Sequence, residues 1–235
     1  MDIQWIAPGA EADELLLAGD VGGTNTSFAL AGRRGRRYFL LGKFLFRTRE
    51  LGSLGEAAAA AAGEIRRRIP SARVRRCCVS AAGPVKNNVC DMTNAPWDVR
   101  GDDLASLLGV PTLIINDFTA VAYGLPLMDP EDPRELTPIP RDDGYLPAPS
   151  GTVRAVVGAG TGLGVGCLVE ACGGYAAVAS EGGHTDFGGF DDESRELCRW
   201  VEDRIGGVAE AELFVSGRGI VDRKSTRLNS SHRIR

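Results

Sequence analysis

No long apolar run, no basic leader and no paired-cysteine motif occur in this chain, and each absence removes a class of function. None of its apolar stretches approaches the roughly 20 residues needed to span a bilayer as a helix. Residues 1–14 carry four carboxylates and no basic n-region. That reads against a signal peptide, and the expected home is the cytoplasm. The six cysteines, Cys77, Cys78, Cys90, Cys167, Cys172 and Cys198, show no C-x-x-C spacing. Neither a zinc knuckle nor a dithiol redox motif is therefore written here. Cys77 and Cys78 sit in an apolar run and read as small buried hydrophobes. Positive charge is also short: 31 acidic residues outnumber 27 basic ones, for a net charge of −4. No bulk field argues for nucleic acid. The local basic clusters at 33–37 and 66–76 read as solvated edges or helix faces.

What is present is an ordinary globular composition, 43% hydrophobic and 25% charged over 235 residues, enough for one large domain or two small ones. Residues 1–14 are polar and unpatterned, and read as a loosely held extension. Two apolar strands at 15–18 and 26–30 flank a glycine-rich turn, and 37–46 continues as a third strand. Ser53 and Glu56 have the spacing of a capping box before an alanine-rich helix that Pro70 ends. Strands at 74–80 and 112–115 and short helices at 102–108 and behind Asn116 complete an α/β unit with mixed strand directions. The Pro- and Asp-rich stretch 125–150 suits a connector. Strand, glycine-rich turn and strand then recur at 153–170, a weak internal duplication that suggests two related lobes facing one another. Residues 192–205 and 209–214 look helical. From 224 onward the chain turns basic and serine-rich without apolar periodicity, and reads as a frameshift or read-through product rather than native fold.

Three segments carry chemistry. The turns GDVGGTN at 19–25 and GAGTGLG at 158–164 would present unobstructed backbone amides, a donor nest suited to phosphate oxygens. Neither is a P-loop, because no Gly-Lys-Ser/Thr follows. The second does not open a helix as a dinucleotide site must. Each alone is better explained by an ordinary tight turn; the pair, with Asp20, Thr24, Asn25 and Thr161 among the glycines, favours phosphate. In LIINDFT at 113–119, Asp117 stands where a strand gives way to a helix. There it serves either as a general base beside Asn116 or as a helix cap, and the two readings are even. In SEGGHTDF at 180–187, Glu181 and His184 form an acceptor–donor pair suited to vicinal sugar hydroxyls. A metal site lacks the H-E-x-x-H spacing, while a purely structural His184 stays open.

Together these segments, in this order and in register from about residue 15 to about 221, closely resemble bacterial glucokinases of the hexokinase/actin/heat-shock ATPase superfamily. The resemblance includes MTN at 92–94 and SGRG at 216–219. It implies a two-lobed, ribonuclease-H-like α/β fold with an incomplete second lobe: extension 1–14, small lobe 15–127, large lobe 128–222 in part, and a non-native tail 223–235. It implies ATP-dependent phosphorylation of the glucose 6-hydroxyl with Mg²⁺. Asp117 would be the general base, and Asn116, Glu181, His184 and Glu212 would hold the other hydroxyls. Asp20, Gly22, Gly23, Thr24 and Asn25 would form the first phosphate loop, and Gly160, Thr161 and Gly162 the second. Sugar kinases and repressors of the ROK group follow their histidine with a Cys-x-Cys-Gly zinc cluster. Asp186 and its neighbours stand there instead, so no resident metal ligand is expected. A non-catalytic sugar-binding regulator, or an inactive fragment of the kinase, is the alternative. A homodimer is allowed but not specified.

Overall fold

The computed structural model describes residues 1–92, 95, 97–146, 148, 151–217 and 219. The tail expected at 223–235 lies outside the described residues, as do Thr93, Asn94 and Arg218 of the two minor motifs. The chain divides after Ala120 into two units, Met1–Ala120 and Val121–Arg235.

In the first unit the segment read as a loose extension is instead an edge strand. β1 (Asp2–Trp5) pairs antiparallel with β4 (Arg37–Arg47), Trp5 opposite Gly42. The Trp5 ring meets Phe44 edge-on at 5.6 Å, and that contact anchors a strand which has no alternating pattern of its own. β2 (Glu14–Val21) and β3 (Asn25–Arg34) form the hairpin around the first glycine-rich turn. Along β3 every second residue from Thr26 to Gly32 is buried, the period-two signature of a sheet with one covered face. α1 (Leu54–Arg68) buries Leu54, Ala57, Ala58, Ala61 and Ile65, one stripe at helical spacing. The Ser53 side chain accepts from the Glu56 amide, whereas the Glu56 carboxylate accepts from Gly52 rather than closing back on Ser53.

β5 (Val74–Ala81) follows, then a small three-stranded sheet of β6 (Val85–Lys86), β7 (Val89–Cys90) and β8 (Val99–Arg100). After α2 (Gly101–Leu108) comes β9 (Thr112–Asn116), which runs directly into α3 (Asp117–Gly124). The main sheet has the order β1-β4-β3-β2-β5-β9. It is antiparallel through the first four strands and parallel from β2 to β5 to β9. Phe28, Leu30, Leu41, Phe44 and Val79 form its fully buried centre with the α1 alanines. The parallel half places the carboxyl ends of β2, β5 and β9 side by side. Ligands bind at such ends in α/β sheets.

The second unit carries an antiparallel meander: β10 (Val153–Ala159), β11 (Leu163–Ala171) and β12 (Gly174–Ser180). The Ala-rich sequence of β12, GYAAVAS, carries no strand signature of its own. Its hairpin turns at Cys172 and Gly173, both at positive φ (52° and 76°), as a two-residue loop requires. α4 (Asp192–Ile205) opens on a reciprocal cap between Asp191 and Ser194. α5 is shorter than the sequence pattern suggests and spans only Glu212–Val215. The residues before it pair with 185–187 instead: Phe187 donates its amide to Ala209 at 2.7 Å, Ala211 donates to Thr185 at 2.8 Å, and Asp186 bridges Glu210. Pairing with residues 185–187 outweighs local helix propensity there. Phe187 stacks on Phe214 at 4.2 Å above Cys198 and Ala209, the small core of this unit.

Candidate functional site

The first glycine-rich turn is pinned from beneath. The Gly22 amide donates to the Asn25 carbonyl at 3.0 Å, and the Thr48 hydroxyl donates to the Gly22 carbonyl at 2.7 Å. Thr48 also donates its amide to the Thr24 carbonyl and meets the buried Thr26 hydroxyl at 3.0 Å. Turn carbonyls are thus consumed, while Gly23 makes no hydrogen bond among the described residues. Beside the turn, Ser80 on the parallel neighbour strand donates to Asp20 Oδ1 at 2.7 Å, and Arg47 Nη1 donates to Asn25 Oδ1 at 3.1 Å. Asp20 and Asn25 are exposed, each with one oxygen fixed by a neighbour.

At the end of β9, Asn116 rather than Asp117 caps α3. Its Oδ1 accepts from the Phe118 amide at 2.9 Å and the Thr119 amide at 3.2 Å. Its Nδ2 donates to the Gly83 carbonyl at 3.2 Å and to Asp117 Oδ1 at 2.8 Å. Two donors and two acceptor sites are all that an amide side chain owns, so Asn116 is saturated within the protein. Asp117 Oδ1 accepts in addition from the Phe118 amide at 2.9 Å. One carboxylate oxygen is thereby fixed, and Oδ2 carries no hydrogen bond among the described residues. The arrangement aims a half-buried carboxylate without spending its second oxygen.

In the second unit, the turn at 160–162 closes through the Gly160 amide on the Gly162 carbonyl, and the Gly217 amide donates to the Gly160 carbonyl, both at 2.8 Å. The Leu163 amide donates to Glu212 Oε2 at 2.9 Å, and a Cβ at Gly162 would stand 2.5 Å from that oxygen. Glu212 therefore lies on the turn itself. Thr161 carries no hydrogen bond among the described residues. Glu181 precedes and His184 ends a single 3-10 turn at Gly182–His184, in which the His184 amide donates to the Glu181 carbonyl at 3.0 Å. Gly183 is pressed so closely on β11 that a Cβ there would overlap the Leu163 carbonyl. The His184 ring engages Glu210 through Nδ1 at 2.7 Å, with 52% of the histidine side chain exposed. That hydrogen bond raises the histidine pKa above its ordinary value against the opposing effect of burial, and the nearby charges of Glu210, Glu212 and Glu181 act in the same upward direction. Among the described residues no group of three His, Cys, Asp or Glu side chains is arranged to hold a metal, and no helix is long and apolar enough to cross a membrane.

The family model for glucokinase matches residues 17–229. This chain belongs to the glucokinase family. A glucokinase of Caulobacter vibrioides is 34% identical over 216 residues, which cover 91% of this chain and 62% of that relative. Among solved structures, the glucokinase of an Antarctic psychrotroph matches with TM-score 0.73 at 28% identity, covering 88% of this chain and 62% of the other. The glucose complex of Balamuthia mandrillaris glucokinase matches with TM-score 0.68 at 22% identity, over 94% of this chain and 64% of that one. At that identity the likeness is one of fold. The mixed α/β architecture is that of the actin/hexokinase-type sugar kinases, present in part. The chain spans about three fifths of the length of the glucokinases it matches.

Within each unit of this glucokinase-family chain the structure gathers some of the sequence-predicted residues. Asp20, Gly22, Gly23, Thr24 and Asn25 share one hairpin end, and Asn116 and Asp117 share one strand end. Gly160, Thr161, Gly162 and Glu212 form another group, while Glu181 and His184 begin and end one turn. The sequence reading missed Glu210. The sequence carries no local signal for it, because its partner Asp186 is brought to it only by long-range pairing.

Proposed function

We propose that the glucokinase to which these residues belong transfers the γ-phosphoryl group of ATP to the 6-hydroxyl of glucose, with Asp117 as general base. The observation that carries this reading is the half-fixed carboxylate: Oδ1 is held by Asn116 and the Phe118 amide while Oδ2 is left to take a proton. In the step, Asp117 accepts the hydroxyl proton as O6 attacks the γ-phosphorus. The bond from that phosphorus to the bridging oxygen breaks, and ADP leaves. Asn116 acts chiefly by orienting Asp117; holding a sugar hydroxyl as well would require it to exchange one of its four bonds. Glu181 and His184 hold other hydroxyls, and the free amides of Gly23 and Thr161 suit phosphate oxygens. Mg²⁺ fits the first hairpin through the Asp20 carboxylate. With few protein ligands near, it would keep waters and phosphate oxygens, as this ion commonly does. When bound it neutralises charge on the phosphates.

The test is Asp117→Ala in the full-length protein, followed by coupled detection of glucose 6-phosphate and by glucose titration. Turnover should fall by about 10²–10⁴-fold, the usual worth of a positioned base, with glucose binding retained. Turnover within tenfold of wild type would overturn the assignment.

A further inference from the structure

His184 and Glu210 are each held by backbone, not only by one another. The two-rung ladder of Phe187 on Ala209 and Ala211 on Thr185 brackets Glu210, which bridges Asp186 directly. His184 is fixed through its amide on the Glu181 carbonyl, and the preceding Gly183 is packed against the Leu163 carbonyl. Thr185 donates its hydroxyl to the Gly182 carbonyl at 2.8 Å and closes the same turn. With both backbones set, the 2.7 Å contact between Nδ1 and Glu210 is a built pair, unlike two long side chains that meet at a surface.

We propose that Glu210 is a positioning residue for His184, holding the imidazole by Nδ1 and so fixing Nε2 as the ring atom offered to a ligand. A carboxylate only accepts, so the proton of the neutral ring resides on Nδ1 and Nε2 is an acceptor. When the ring protonates, Nε2 becomes a donor while the bond to Glu210 stays in place. The charged groups acting on the ring are Glu181 from the preceding turn, and Glu210 and Glu212 from the opposing segment and α5. All three are carboxylates, and all three favour the charged ring. Given the sugar-kinase reading, Nε2 is the atom that meets a sugar hydroxyl, an oxygen able to serve either state.

The chain has two histidines, His184 and His232, which makes the test direct. Long-range ¹H–¹⁵N spectra of the ¹⁵N-histidine-labelled 235-residue chain report tautomer and titration together. His184 should be neutral as the Nδ1–H form at high pH and should titrate above an ordinary histidine. Glu210→Gln, which keeps an acceptor oxygen, should retain the tautomer and lower the pKa. Glu210→Ala should revert the ring to the Nε2–H form that free histidine prefers. A wild-type His184 found as Nε2–H, or a Glu210→Gln chain with unchanged titration, would overturn the proposal. Should the alanine variant not fold, the glutamine variant decides alone. If, in the full-length protein, glucose leaves the His184 signals unmoved while their dependence on Glu210 persists, the sugar-kinase reading fails and the positioning role stands.

Discussion

Replacing Gly183 by alanine should unfold the local structure that carries Glu181 and His184. A Cβ at that position would meet the Leu163 carbonyl oxygen and come within 3.2 Å of the Leu163 side chain. Carbon–oxygen contacts between packed segments sit at about 3.3–3.6 Å, so the overlap exceeds what a side chain can absorb. The obstructing atom is backbone and Leu163 opens β11, paired with Ala159. Its amide also donates to Glu212. Relief must move either the strand or the 3-10 turn. Overpacking of a buried position costs about 1–3 kcal/mol, and a backbone obstruction belongs at the upper end. Taking about 3 kcal/mol, the melting temperature of the second unit should fall by roughly 12–24 °C, since a domain near 100 residues loses about 4–8 °C per kcal/mol. The control is Gly160→Ala in the neighbouring turn, where a Cβ would meet nothing within 4 Å and stability should not change. Hydrogen exchange of the peptide spanning residues 163–187, read by mass spectrometry beside thermal denaturation, localises the loss. If Gly183→Ala exchanges and melts like the Gly160 variant, the close approach of turn to strand is wrong.

Ser53→Ala removes the acceptor of the Glu56 amide and should cost about 1 kcal/mol in urea unfolding, the usual worth of an N-cap. Asn116→Ala frees the Phe118 and Thr119 amides and releases Asp117. In the full-length enzyme it should lower kcat by about tenfold or more with a smaller change in KM, the pattern of a lost positioning contact. Burial pushes the Cys77 thiol up to about 12 from an ordinary 9.0. The unfolded chain therefore loses this proton near pH 9 while the folded chain keeps it. That stabilising difference is whole below pH 9 and declines as pH rises towards 12, which denaturation at pH 8, 9.5 and 10.5 would show. Iodoacetamide at pH 8 should modify exposed Cys172 and spare buried Cys77, as peptide mapping would reveal.

Much of the first unit was legible because its signals are local and repeated. β3 alternates over its length, α1 repeats a small apolar stripe, and the glycines after Val21 mark a turn whichever fold contains them. Elements stabilised by partners rather than by their own pattern were not legible. β1 is held by one tryptophan against Phe44, and β12 reads as a small-residue run until its neighbour strand supplies the pairing. The segment at 209–211 has helical residues but gives its hydrogen bonds to 185–187. That error in secondary structure concealed Glu210, because its pairing with Asp186 is a neighbour that a helix over 209–214 does not provide. Asn116 shows the complementary limit: sequence can place an amide beside a carboxylate, but not show that all of its hydrogen bonds are already taken.

Glu212 separates two accounts of the second turn. By resemblance it holds a sugar hydroxyl, yet in this structure its carboxylate takes the Leu163 amide, next to the glycines expected to receive phosphate. A negative group seated on a donor nest competes with any phosphate that approaches. If the turn is a phosphate site, the carboxylate must leave that amide, or share the turn with a weaker anion contact, when nucleotide binds. Glu212→Gln keeps an acceptor for the Leu163 amide and removes the charge. In the absence of sugar, Mg-ATP should bind the full-length variant more tightly, by up to about tenfold, equivalent to about 1.4 kcal/mol. A purely sugar-directed Glu212 predicts a different split, with nucleotide affinity unchanged and glucose affinity lowered. Calorimetric titration of each ligand alone reads the two effects separately. Nucleotide binding that is unchanged or weaker in Glu212→Gln would refute the competition and remove the charge argument from the second turn.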